Sequence, residues 1–368
     1  MKLVRLETFC TQYAGLARAT ADNGAQGWGQ VSTYHADISA QILHRQIAPH
    51  ALGRDIAPPP FDDLCDFIFE REHKFPGSYL CRAVCGLDTA LWDLWGKQEG
   101  KSVCELLGGK PRPLRAYASS MRRDISPKNE AERFLRLRDE CGFDAFKFRV
   151  GKECGRNEDE TPGRTEEIIP AMRRALGGDV ALLADANSCY RPQKAIEVGR
   201  MLQDNGACHF EEPCPYWMPE WTKETADALD LDVAGGEQDC NLTLWQYLTA
   251  GRVMDIAQPD ICYIGGLSRA LRVAKMAQAA GMPLTPHAAN LSPVTIFTMH
   301  FLGAIENAGP YLEFSIEGAD YYPWQYGIYE NMPEVKDGKT QIPADPGWGI
   351  AIKEEWLNQA KYQKSELV

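Results

Sequence analysis

The sequence predicts an α/β protein in which a separate α+β unit precedes a parallel (β/α) barrel. Three observations carry that prediction. From about residue 115, short apolar runs that read as strands alternate with helical stretches, eight times over. Six successive runs end on an acidic residue or a histidine, namely Asp185, Glu211, Glu237, Asp260, His287 and Glu313. They are spaced at 26, 26, 23, 27 and 26 residues, one βα unit each time. Finally, 368 residues at 44% hydrophobic and 24% charged suffice for one large barrel, an accessory domain and a sizeable core.

The first unit spans residues 1–113. Its opening, Met1 to Phe9, reads as a strand. Two short strands then flank Asp22-Asn23-Gly24, because Asn-Gly readily supplies the positive φ a tight turn needs, and Gly27-Trp28-Gly29 closes the second. Helical patterns follow at 37–50, 61–72 and 78–99, with Ala83, Leu87, Ala90, Leu91 and Leu94 sharing one face of the last. Gly108-Gly109 stops a short helix, and Pro111 and Pro113 mark the boundary. The barrel takes residues 114–316, with strands expected at 115–121, 144–150, 180–186, 208–211, 232–237, 255–261, 282–286 and 311–315. The charged, glycine-rich stretch Gly151–Gly163 reads as a surface excursion after the second of these. Residues 317–368, with Asp337-Gly338, Pro346-Gly347 and a closing helix, are expected to pack back on the first domain.

Charge and composition exclude several functions. A net charge of −12, from 39 Lys+Arg against 51 Asp+Glu, repels phosphate backbones, and no basic cluster offsets it, so nucleic acid is not an expected partner. No apolar run approaches the roughly 18 residues needed to cross a bilayer, and the N-terminus lacks the pattern of a signal peptide. The 12 cysteines are scattered with no CxxC pair, and Cys81 and Cys85, four apart in a helical pattern, read as small buried side chains. Asn241-Leu242-Thr243 is a formal glycosylation sequon without a secretion signal to give it meaning. These features point to a reducing cytoplasm.

A carboxylate at the carboxyl end of a barrel strand points into the mouth, where barrel active sites lie. Asp185, Glu211 and Glu237 on consecutive strands crowd negative charge into a partly dry pocket, which is costly unless a cation neutralises it. Three hard oxygens with room for water and substrate suit Mg²⁺. Any one of them could instead cap the next helix, but a run of three at matched spacing favours a metal site over capping. Asp260 and His287 come from neighbouring strands, so the carboxylate can fix the imidazole tautomer and raise its basicity, whereas a lone histidine would read as a core residue. On the second strand Lys147 and Arg149 share one face and Phe146, Phe148 and Val150 the other. Two inward cations call for the metal carboxylates or an anionic ligand, with a structural salt bridge as the alternative.

These residues resemble the enolase superfamily, specifically its mandelate racemase-like branch (the mandelate racemase/muconate lactonizing enzyme family), over nearly the whole chain. The resemblance rests on Gly27-Trp28-Gly29, on Gly86-Leu87-Asp88-Thr89-Ala90-Leu91-Trp92-Asp93 with Gly96-Lys97, and on Leu106-Leu107-Gly108-Gly109. In the barrel it rests on Asp185-Ala186-Asn187, Glu211-Glu212-Pro213, Gly236-Glu237, Gln258-Pro259-Asp260 and Gly265-Gly266. It implies a modified (β/α)7β TIM barrel with an N-terminal capping domain completed by the C-terminal tail. It also implies Mg²⁺ at Asp185, Glu211 and Glu237, an Asp260–His287 acid/base dyad, a small carboxylate substrate and a symmetric homo-oligomer. Glu313 looks like the family glutamate that hydrogen-bonds the substrate carboxylate. The implied chemistry is removal of the proton α to a carboxylate through a stabilised enediolate, which the handling of so weak a carbon acid requires.

Two departures bear on the reaction. The family's second-strand Lys-x-Lys reads Lys147-Phe148-Arg149 here, and a guanidinium stays protonated, so Arg149 is a clamp rather than a base. Tyr263 stands where another branch carries a lysine on the sixth strand. With His287 the one evident base, dehydration of an aldonate or aldarate to a 2-keto-3-deoxy acid ranks first. A racemase, epimerase or cycloisomerase that recruits Lys147 is the alternative, and a non-catalytic acid-sugar binder and an unrelated metal-dependent barrel hydrolase rank below both. The loop joining the first two strands, about Cys10–Gly15, is short, which leaves Glu72–Tyr79 and Gly151–Gly163 as candidate lids.

Overall fold

The computed structural model describes residues 1–367. Its first three strands, β1 (Leu3–Cys10), β2 (Gly15–Ala21) and β3 (Gln26–Val31), form an antiparallel meander. Gly24 takes φ +84° in the second turn, where Asn23 Oδ1 accepts the Ala25 N–H at 3.1 Å. The glycines of the Gly27-Trp28-Gly29 segment let β3 approach the helix Ser78–Glu99. A Cβ on Gly27 would lie 2.1 Å from the Ala90 carbonyl oxygen, and one on Gly29 would lie 2.4 Å from the Ala90 nitrogen. That approach brings the Trp28 amide within 2.7 Å of the buried Asp93 carboxylate, which also accepts from the Trp348 amide at 2.9 Å and Lys97 Nζ at 2.6 Å.

The barrel follows, with β4 (Pro113–Ser119), β5 (Ala145–Arg149), β6 (Ala181–Asp185), β7 (His209–Glu211), β8 (Asp232–Gly235), β9 (Ile256–Ala257) and β10 (Leu312–Ser315). These lie parallel in the order β10-β4-β5-β6-β7-β8-β9. The strand expected at 282–286 is reduced to Leu284, which bridges Ala257 on one side and Ala308 on the other. Pro283 and Pro286 cannot donate to a ladder, and the Thr285 and Leu284 amides are divided between the Ala257 and Asn307 carbonyls. The pattern at 37–50 forms helix, with a wider π turn at Leu43–Ile47 just ahead of Pro49, which has no N–H for the regular ladder.

Two strands of the tail complete the architecture. β11 (Lys339–Gln341) lies antiparallel on β4, and β12 (Lys361–Glu366) adds to β1 from Arg5↔Glu366 to Cys10↔Lys361, making the first sheet β12-β1-β2-β3. The sheets are joined through the core. Trp348 donates its indole N–H to the Thr89 carbonyl at 2.9 Å and packs its ring 4.3 Å from Phe297 of the helix Pro293–Leu302. Gln30 of β3 bonds Ser292 Oγ and the Val294 amide at the start of the same helix, at 2.8 and 2.9 Å. Among the described residues no helix is long and apolar enough to cross a membrane.

Two measurements check this packing. Gly27→Ala places a methyl against helix backbone that cannot swing aside, and is expected to lower the unfolding free energy by about 1–3 kcal/mol in urea titrations. His300 is buried neutral, its Nδ1 accepting from the Cys104 amide at 3.0 Å and its Nε2 donating to the Trp348 carbonyl at 3.2 Å. Burial pushes its pKa down to about 4 from 6.5, so the unfolded chain takes up this proton first and stability falls as pH drops from 6.5 towards 4. Over that window wild type should lose on the order of 3 kcal/mol relative to His300→Gln, read from denaturant midpoints at each pH.

Candidate active site

Side-chain alternation along β5 sends Lys147 and Arg149 into the barrel while Phe146 packs outward, 4.9 Å from Phe134 of the helix Pro127–Cys141. The sheet register sets Arg149 beside Asp185, and Asp185 beside Glu211. Lys147 has no exposed surface, and its Nζ lies 2.7 and 2.9 Å from the Glu211 oxygens, 2.7 Å from Glu313 and 3.6 Å from Asp185. Arg149 pairs with Asp185 and donates to Asn187 Oδ1 and the Ser120 carbonyl, both at 2.8 Å. Burial works against both cations, yet the Glu211 and Glu313 charges outweigh it and hold Lys147 and Arg149 above their usual range. Burial likewise works to raise Glu211, but Lys147 holds it well below the usual carboxylate range.

The dyad forms between the β9 end and the segment after Leu284. His287 Nδ1 lies 2.7 Å from Asp260 Oδ2, and its Nε2 lies 3.6 Å from Glu237. The second Asp260 oxygen caps the short helix Ile261–Ile264, accepting from the Cys262 and Tyr263 amides at 2.6 and 2.9 Å. Capping and orientation of the imidazole therefore fall to opposite oxygens of one carboxylate. Burial works to lower the His287 pKa, but Glu237, Asp260 and Glu313 outweigh it and push it up to about 10. Glu313 accepts from Ser119 Oγ and the Ala288 amide, both at 2.7 Å, and Lys147 and His287 hold it ionised against burial. In this arrangement Glu313 accepts hydrogen bonds, whereas the resemblance implies a glutamate that donates to substrate.

Asp185, Glu211 and Glu237 stand on consecutive strand ends, but Asp185 and Glu211 are turned onto the β5 cations. Among the described residues no three acidic, histidine or cysteine side chains converge as metal ligands. The donor set and its charge nevertheless fit a hard divalent cation. Asp185, Glu211, Glu237, Asp260 and Glu313 are all buried and face Lys147, Arg149 and two imidazoles, His287 and His209 (Nε2 3.2 Å from Glu211), so at least one negative charge stays uncompensated even with both imidazoles protonated. Glu212 adds nothing to that excess, because burial and the Glu237 and Glu211 charges raise it well above the usual carboxylate range.

A pocket of about 620 Å³ opens over this floor. Of the eight residues predicted from sequence, Arg149, Glu237 and His287 line it, while Lys147, Asp185, Glu211, Asp260 and Glu313 lie beneath. The lid differs from both candidate segments. Phe75 and Tyr79 line a separate surface groove, and Gly151–Gly163 contributes only Glu153. Tyr34, Tyr321 and Tyr322 close the pocket instead, with Tyr34 and Tyr322 hydroxyls 3.2 Å apart. Trp324 lies 5.8 Å from Tyr34, and Tyr13 of the short β1–β2 turn stacks on Trp324 at 6.2 Å. Several further lining residues lie outside the predicted set, Arg123, Asn290 and Arg82 among them. Arg123 follows the end of β4, and the strand-end rule that found the acids could have found it. Asn290 and Arg82 carry no comparable signal, because Arg82 enters from the helix Ser78–Glu99 of the first unit.

Comparison with known proteins bears on the family and the fold. Residues 4–108 match the mandelate racemase / muconate lactonizing enzyme N-terminal domain, and residues 129–356 match the enolase C-terminal domain-like family. D-galactarolactone cycloisomerase of Agrobacterium fabrum is 33% identical over 94% of this chain and 90% of its own. Arabinonate dehydratase of Saccharolobus solfataricus is 27% identical over 92% of this chain and 88% of its own. A crystal structure from Roseobacter denitrificans, provisionally described as a racemase, superimposes with a TM-score of 0.98 at 63% identity over the whole of both chains. A magnesium complex of a mandelate racemase/muconate lactonizing protein from Paracoccus denitrificans gives a TM-score of 0.87 at 27% identity, covering 100% of this chain and 98% of that one.

Because Lys147 is the shared counter-ion of Glu211 and Glu313, Lys147→Met leaves two buried carboxylates short of their cation. The substitution is expected to cost about 3–5 kcal/mol in chemical denaturation of the metal-free protein. A loss below 1 kcal/mol would show that Arg149 alone suffices.

Proposed function

The chain belongs to the mandelate racemase/muconate lactonizing enzyme family of the enolase superfamily, whose members include lyases and isomerases, and from that premise we propose that it dehydrates a sugar acid, an aldonate or aldarate, to a 2-keto-3-deoxy acid. The observation that carries this reading is that the pocket holds one usable base. Lys147 is buried among three carboxylates beneath the pocket, and Arg149, although it lines the pocket, is paired with Asp185, so both stay cationic and His287 is the only one of the three that can take up a proton there.

Asp185, Glu211 and Glu237 are the residues that would hold Mg²⁺. Bound there, the ion would supply positive charge against the developing enediolate and would offset the Glu237 charge that favours the protonated imidazole. Asp260 holds the imidazole with Nδ1–H towards its carboxylate, which leaves Nε2 for the α-proton. His287 takes that proton, and the imidazolium then protonates the departing β-hydroxyl, so that water leaves and the enol relaxes to the keto acid. Lys147 and Arg149 offset the charge that builds on the carboxylate end. With this reading go a reducing cytoplasm, which the scattered cysteines suggest, and an assembly of identical chains, which the family resemblance implies.

The second reading, an isomerase, is favoured by the 33%-identical cycloisomerase and the racemase description of the Roseobacter protein. Incubation with an aldonate and aldarate library plus Mg²⁺ separates them. Dehydration gives 2-keto-3-deoxy acids that form semicarbazones, and EDTA stops it. Deuterium entering recovered substrate from heavy water, with no keto acid formed, would reject dehydration. His287→Asn should lower kcat at least about 10³-fold while leaving ligand binding in place.

A further inference from the structure

The proposed chemistry asks for one carboxylate at the reacting end, yet the pocket carries more cationic groups than that end uses. Arg149 is committed to Asp185. Arg82 and Arg123 also line the pocket, and among the described residues neither has a carboxylate within 4.0 Å. They stand at different places around the mouth. Arg123 donates to the Gly151 carbonyl at 3.0 Å and to Asn187 Oδ1 at 2.8 Å, an oxygen that Arg149 shares, so it belongs to the β5–β6 side. Arg82 reaches over from the helix Ser78–Glu99. Its guanidinium lies 3.5 Å from the centre of the Tyr263 ring and donates to Ser32 Oγ, and that ring is 5.7 Å from the His287 ring. The two arginines therefore sit on the metal-carboxylate side and the dyad side of one pocket.

A guanidinium seated over an aromatic ring and bonded to a neighbouring hydroxyl is restricted in position, and a planar fork of donors matches a carboxylate in bidentate geometry. In a chain of net charge −12, a pocket arginine left without an acidic partner is conspicuous, since surface acids are plentiful enough to pair it. We propose that Arg82 receives a second carboxylate at the far end of the substrate, so that the sugar acid taken by this pocket is a diacid, an aldarate, rather than an aldonate. This rests on the sugar-acid reading above and narrows it. Tyr263, at the position where a lysine would serve another chemistry, acts here as the platform that holds Arg82 in place.

The test compares acids of one stereochemistry that differ only at the terminal carbon, galactarate against galactonate. Wild type should favour the diacid by at least about 100-fold in kcat/KM, less than the ~10⁴-fold of a fully buried polar site because Arg82 is half-buried and the monoacid keeps a terminal hydroxyl. Arg82→Gln should bring the diacid-to-monoacid ratio close to one, mainly through the diacid KM, and Arg82→Lys should recover part of it. A merely structural Arg82 would lower both substrates alike and leave the ratio unchanged, and that result, or equal turnover of both acids by wild type, overturns the proposal. Calorimetric binding of both acids to His287→Asn keeps the two readings apart. If neither acid yields a keto acid, dehydration fails, while diacid binding that Arg82→Gln abolishes still supports the anion site, and equal binding of both acids overturns it.

Discussion

The site depends on a lysine that never meets solvent. Lys147 is enclosed by Glu211, Glu313 and Asp185, and it is the charge that lets three acids from three strands share a dry floor. Its pairing also settles what it can do. An ammonium stabilised by that many carboxylates does not give up its proton to become a base, so in the proposed reaction acid–base work passes to His287, the imidazole on the pocket wall that Asp260 orients. Excess negative charge under the pocket then makes a divalent cation the natural complement, and the same excess accounts for the strong hold on the imidazole proton.

The pocket is shared between two structural units, and their junction is built from close backbone approach. Two glycines on β3 allow the helix Ser78–Glu99 to lie directly on the strand, and Asp93 gathers amides from Trp28 and Trp348 at that contact. Because the helix is seated firmly, Arg82 in its second turn is delivered over the barrel mouth at a fixed height. The wall formed by Tyr34, Tyr321 and Tyr322 draws on both units as well. Chemistry is thus placed on the strand tips, while the lining that faces the rest of the substrate comes from segments more than two hundred residues apart.

Much of this was legible from the chain. The metronome of strand-end acids located Asp185, Glu211, Glu237, Asp260, His287 and Glu313 because one βα unit has a nearly constant length, and period-two alternation placed Lys147 and Arg149 inward. The seventh strand was not legible as a bridge of one residue, since its apolar run looks like the others and only the neighbouring carbonyls reveal how Pro283 and Pro286 divide the remaining donors. The lid was misplaced for a related reason: length and glycine content mark a segment as a loop without saying what it covers.

What the sequence by itself determined was the barrel, its capping unit and the identity of the chemical groups at the mouth, because each follows from periodicity along the chain. Only the tertiary structure decided which groups face the pocket and which lie under it, how Lys147 is shared, and that Arg82 and the tail tyrosines belong to the site. Those are relations between residues remote in sequence. They are set by packing and by Coulomb partners across space, for which a linear pattern carries no signal.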